Sequence, residues 1–149
     1  MWWTDGLRSD DGRVGAAAVC KHRHGWRAFR SHLGTRQMEV NNTELWAIGF
    51  ALRESVKTWD TLQTHGVTKV AVFSGSRAAI RRVEHLEPEQ GQQQAWWISE
   101  CTRNLREAGI QTEIHCVPRH TGIPANEEAD RQANLVREGR RAGRVQEGV

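Results

Sequence analysis

The chain has 149 residues, 38% of them hydrophobic, and carries a formal net charge of +3. That length fits one domain with a real core, the mild basicity is compatible with a polyanionic partner without marking one, and no apolar run approaches the length of a membrane span. Cys20, Cys101 and Cys116 are odd in number and lack CxxC spacing, and no signal peptide precedes the first strand; this argues against a disulfide framework and leads us to expect an intracellular setting, cytoplasm or nucleus.

Taken in order, Trp2-Trp3-Thr4 reads as a short strand that delivers Asp5, with Gly6 loosening the backbone behind it. Asp11-Gly12 signals a hairpin turn, and the apolar run from Gly15 to Lys21 is a second strand. His24-Gly25 is another turn, and Trp26 to Leu33 alternates as a third strand, so the chain opens with an antiparallel meander. The period then changes. Leu45, Ile48, Leu52, Val56 and Trp59 recur at helical spacing, with Asn41-Asn42-Thr43 as the N-cap and Glu44 in the first turn.

Lys69 to Phe73 is an apolar strand of the buried kind. Ser74-Gly75-Ser76 breaks it, and Ser76 caps a helix carrying Ala79, Ile80 and Val83 that Pro88 closes. A further helix runs from about Gln94 to Ala108 with Trp97, Ile98, Cys101 and Leu105 inward and Gly109 as its C′ residue. Thr112 to Val117 is the last strand, stopped by Pro118. The order βββ-α-β-α-α-β-α predicts an α/β fold: a five-stranded mixed sheet, a three-strand antiparallel meander plus parallel strands, flanked by helices. Residues 1–136 read as one domain. Residues 137–149, rich in Arg, Gly and Glu with little to bury, read as a frayed polar tail.

The stretch from His120 to Asp130 concentrates the chemistry. Gly122 and Pro124 make its first half a loop, Asn126 can cap the helix that follows, and Glu127 and Glu128 suit that helix's positive N-terminus. Asn126 and Asp130 share a helix face. An imidazole on a loop beside a carboxylate on a helix suits metal-assisted hydrolysis, with the acid as ligand and the histidine as proton carrier. An ordinary capped helix after a loop accounts for the same acids.

Asp5, Glu44, Gly75 and Asp130 all fall at element ends. Thr4-Asp5-Gly6, Asn42-Thr43-Glu44-Leu45, Phe73-Ser74-Gly75-Ser76 and Pro118 through Asp130 resemble, in order, the four signature segments of type 1 ribonuclease H. The resemblance runs from about residue 2 to residue 136, and Gly12 to Val19 is similar in phrasing to ribonuclease H domains of fungal retrotransposons without long terminal repeats. It implies a ribonuclease H-like fold and metal-dependent endonucleolytic hydrolysis of RNA in RNA–DNA hybrids. Two Mg²⁺ ions, with Mn²⁺ as a substitute, would straddle the scissile phosphate. By matching motifs, Asp5, Glu44 and Asp130 would be metal ligands, and His120 would shuttle protons. Gly6, Asn42 and Asn126 would meet the substrate, whose 2′-OH groups distinguish RNA from DNA.

The sequence departs from the family pattern where an aspartate is usual: Gly75 has no ligand atom, and Ser74 and Ser76 cannot restore the charge. Leu7 stands where a serine is usual, and Arg119 and Ala125 replace two glycines. Metal binding is therefore expected to be weak and cleavage impaired. Two alternatives remain, a catalytically inactive nucleic-acid-binding or scaffold descendant and a fold repurposed for a small molecule. The expected partner is RNA–DNA hybrid or another nucleic acid, with no membrane and a monomeric chain. Arg77, Arg81 and Arg82 are placed to meet phosphates or to form a solvated face. Of Trp96 and Trp97, one is expected in the core. His22 and His24, beside Lys21 and Arg23, read as solvated.

Overall fold

A computed structural model describes residues 1–8, 13–22, 25–35, 40–85, 92–118, 122–137 and 143–148. Strands β1 (Trp2–Arg8), β2 (Arg13–His22) and β3 (Gly25–Thr35) form the expected meander, each pair antiparallel. Helices α1 (Val40–Lys57) and α2 (Trp59–Thr64) lead to β4 (Lys69–Ser74), then α3 (Arg77–Glu84), α4 (Gln92–Glu107), β5 (Gln111–Cys116), α5 (Pro124–Arg137) and β6 (Gly143–Gly148). The sheet order is β5-β4-β1-β2-β3-β6, with β4 parallel to both of its neighbours. Among the described residues, no helix is long and apolar enough to cross a membrane.

Alternation along the strands divides the side chains between two layers. Trp2, Ala16, Ala18, Phe29, Val70 and Val72 face α1, α3 and α4, where they meet Leu45, Ile48, Leu52, Ala79, Ile98 and Leu105. Gly49 makes room for α4: a Cβ there would lie 2.2 Å from the Trp97 ring. Trp97 also packs on Trp46 and Phe50, whereas Trp96 is 58% exposed, so one of the two tryptophans is in the core as expected. Ser76 caps α3 by accepting from the Ala79 N–H at 3.1 Å. Gly109 closes α4 at φ +79°, with Ile110 N–H donating to the Leu105 carbonyl and Gly109 N–H to that of Arg106, the paired bonds of a Schellman motif.

Helix α5 lies on the opposite face, where Ala129 packs against Val19 and Ala28. Buried Gln132 gives this docking a direction. Its Oε1 accepts from Arg30 of β3, and its Nε2 donates to Glu128 Oε1 at 2.9 Å. Burial pushes the Glu128 carboxyl up, but hydrogen bonds from Arg131 and Gln132 and the Arg131 charge outweigh it and hold the carboxyl below its ordinary range. That contribution is present above the ordinary carboxylate range and is lost as pH falls through the depressed value. Gln132→Ala, which deletes both bonds and leaves a void, is expected to cost about 2 kcal/mol in denaturant unfolding; a loss below about 0.5 kcal/mol would show that the alanine contacts alone seat α5.

Several expectations are corrected. Residues 143–148 do not fray: β6 pairs antiparallel with Gly25–Arg30 of β3 and adds a sixth strand beyond the five expected. Its backbone supplies the pairing, which composition does not report. Trp59 is 46% exposed and starts α2 instead of completing the buried face of α1. Asn41–Thr43 lie inside α1, which begins at Val40. Asn126 lies inside the first turn of α5, not at its cap, because Pro124, with φ preset for a helix, takes the opening position. The turn at Asp11-Gly12, His24, Pro88 and His120 lie outside the described residues, as does the side chain of His22.

Candidate active site

The site forms where a parallel ladder ends. β1 pairs with β4 only from Trp2↔Val72 to Thr4↔Ser74, and Thr4 Oγ1 fastens that end by donating to the Phe73 carbonyl at 3.0 Å. Asp5 and Gly75 are the next residues on the two strands and so emerge side by side. β1 itself continues to Arg8 against β2, so Asp5 lies at the end of the ladder with β4 and in the middle of its own strand, not at the strand's end as expected.

Asp5 belongs to the β1 face on which α5 lies. Asp5, Leu7, Gly75, Asn126 and Asp130 line one cleft of about 160 Å³, walled further by Thr4, Val117, Pro118, Gly122 and Glu127. Asn126 and Asp130 are one helical turn apart and enter the cleft together, as their spacing required. Asp5 Oδ2 is sequestered from solvent.

Behind this cleft, α1 approaches β1 at Gly6. A Cβ on Gly6 would lie 2.4 Å from the Thr43 carbonyl carbon and 2.5 Å from the Glu44 nitrogen, so only glycine permits the contact. Glu44 is fully buried, and its Oε2 accepts from the Ser74 hydroxyl at 3.5 Å. Ser74 Oγ in turn accepts from the Ser76 N–H at 3.2 Å, tying the turn that carries Gly75 to the α1 acid. Asn42 is only 4% exposed, and its Oδ1 accepts from Arg82 Nη1 at 2.7 Å. Arg82 thus turns toward α1, while Arg77 and Arg81 are exposed.

The structure therefore gathers Asp5, Gly75, Asn126 and Asp130 at one cleft and packs Gly6 against the α1 backbone that carries Glu44. His120 lies outside the described residues. Sequence reasoning missed the Ser74–Glu44 bond and the Arg82–Asn42 bond; both join residues far apart in sequence, and no local pattern announces them. Glu44→Gln keeps the side-chain volume while removing a buried charge. Its unfolding free energy is expected within about 1 kcal/mol of the parent or higher; a loss above about 2 kcal/mol would assign Glu44 a structural role.

The donor set does not fit the pair of Mg²⁺ ions that the fold family implies. Among the described residues, no three His, Cys, Asp or Glu side chains converge closely enough to hold a metal. Gly75 offers no side-chain oxygen where hard cations need several. Glu44 is fully buried and accepts from the Ser74 hydroxyl.

No protein-family model matches this sequence, and neither does any curated protein. Solved structures do resemble it. Ribonuclease H1 from the halophilic archaeon Halobacterium salinarum is 17% identical, with 93% of this chain and 96% of that one covered at a TM-score of 0.60. The N-terminal ribonuclease H domain of a Mycobacterium tuberculosis protein, solved as a fusion with maltose-binding protein, is 19% identical, with 93% and 94% covered at a TM-score of 0.64. The chain has the ribonuclease H fold.

Proposed function

We propose that this chain is a ribonuclease H family domain directed at RNA–DNA hybrid, with hydrolysis of the RNA strand impaired by glycine at position 75. The observation that carries this reading is the meeting of Asp5, Gly75, Asn126 and Asp130 at one cleft, formed where the β1–β4 ladder ends against α5. Its volume of about 160 Å³ suits a single backbone unit, so a duplex would lie across the surface with one strand dipping in. Asn126 offers an amide donor and acceptor to that strand, and His120, by resemblance, carries protons. Without enough cation to offset them, the carboxylates repel the phosphate they should help to cleave, which makes hydrolysis slow.

A second reading, a non-catalytic hybrid-binding descendant, draws support from the absence of three converging metal-ligating side chains among the described residues. Labelled hybrid, double-stranded DNA and double-stranded RNA, each incubated with the chain in Mg²⁺ and in Mn²⁺, separate the two. Slow cuts confined to the RNA of hybrid, and lost in Asp130→Asn, are expected. Hybrid binding with no cuts would support the descendant, and no preference for hybrid would remove both. In calorimetry without nucleic acid, Mg²⁺ is expected to bind at about millimolar concentration or more weakly; two tight sites would contradict the reading of position 75.

A further inference from the structure

The mismatch between this cleft and a two-cation centre has a consequence for binding that can be read by its sign. In a centre that bridges two cations between carboxylates and a phosphate, divalent ions are part of the interface, and adding them tightens the complex. In a protein that meets nucleic acid only through its own cations and polar groups, divalent ions compete for the phosphates, and adding them loosens it.

Three observations place this chain in the second class. Asp5, Glu127 and Asp130 line the cleft, but Gly75, the residue that leaves the ladder beside Asp5, carries no side-chain oxygen. Glu44 is fully buried, accepting from Ser74. Among the described residues, no three His, Cys, Asp or Glu side chains form a group that could hold a metal ion. Meanwhile Arg77 and Arg81 stand exposed on α3, one turn apart, immediately past Gly75 and its capping Ser76.

We infer that this chain binds RNA–DNA hybrid without divalent cations and that Mg²⁺ weakens the complex. The inference rests on the proposed hybrid-binding function and adds its ionic requirement. Arg77 and Arg81 supply part of the cationic contact that a metal pair would otherwise share. Asp5 and Asp130 stand at the edge of that contact without a bridging ion.

The test is fluorescence anisotropy of a labelled hybrid with the full chain, first in EDTA and then through a Mg²⁺ series at constant ionic strength. Binding in EDTA that weakens about three- to tenfold on reaching ~10 mM Mg²⁺ is expected. Gly75→Asp, followed by rapid mixing so that cleavage does not intrude, is expected to reverse the sign and tighten with Mg²⁺. Binding by the parent that appears or tightens only with Mg²⁺ would overturn the inference while leaving hybrid recognition in place. Mg²⁺ loosening both proteins alike would overturn the assignment to position 75. No hybrid binding in any buffer would overturn both the inference and the function on which it rests.

Discussion

Gly75→Asp is expected to raise hybrid-dependent cleavage by about two to four orders of magnitude, the range that single electrostatic elements of an active site typically command. Register sets the geometry. Thr4↔Ser74 is the last pair between β1 and β4, so residues 5 and 75 leave the ladder together and both line the cleft. An aspartate at 75 would put its oxygens beside those of Asp5, adding a fourth acid to Asp5, Glu127 and Asp130 around one space. Restored charge would favour Mg²⁺, which when bound would supply activation of the attacking water. The same charge adds repulsion in the metal-free protein, so a small loss of stability is expected alongside the gain. Single-turnover cleavage of hybrid by parent and variant at equal Mg²⁺ checks this. A variant that folds, binds metal and does not cleave would place a further defect elsewhere, at Leu7 or Arg119. A parent that already cleaves as fast would show that position 75 is not a ligand position.

Gly6→Ala is expected to be the most destabilising single-methyl change near the site. The added carbon would meet backbone atoms of Thr43 and Glu44 at 2.4–2.5 Å, and backbone cannot step aside as a side-chain tip can. Either α1 or β1 must shift. Such overpacking costs about 1–3 kcal/mol, and the backbone contact places this case at about 3 kcal/mol. Because α1 carries Glu44 and Asn42, the shift would also disturb the Ser74–Glu44 and Arg82–Asn42 bonds. Urea unfolding measures the stability loss, and hybrid affinity in a variant that remains folded measures the displacement of α1. An unchanged midpoint would mean that the two elements are held apart more loosely than the structure shows.

Much of the fold could be read in the sequence because the hydrophobic period changes cleanly, from strands that alternate to helices such as the one carrying Leu45, Ile48 and Leu52, all fully buried in the structure. The pairing of Asn126 with Asp130 was equally legible, since helical spacing alone puts them on one face. β6 was not. Gly143–Gly148 holds one apolar residue, Val145, and joins the sheet through backbone hydrogen bonds that any sequence can offer. The start of α5 was misplaced because Asn126 is a good cap while Pro124 is a better opening residue, and only one can prevail. The burial of Glu44 against Ser74 and the turn of Arg82 toward Asn42 depend on tertiary packing.

Backbone amide resonances of the ¹⁵N-labelled chain, mapped during titration with a short hybrid, show whether the cleft between the β1–β4 ladder end and α5 receives RNA–DNA hybrid. Perturbations are expected to concentrate at Gly6, Gly75, Asn126 and Asp130, to be larger for hybrid than for double-stranded DNA of the same sequence, and to leave the α2 amides from Trp59 to Thr64 unchanged. Perturbations that spare those four positions, or that are the same for both duplexes, would contradict hybrid recognition at this cleft.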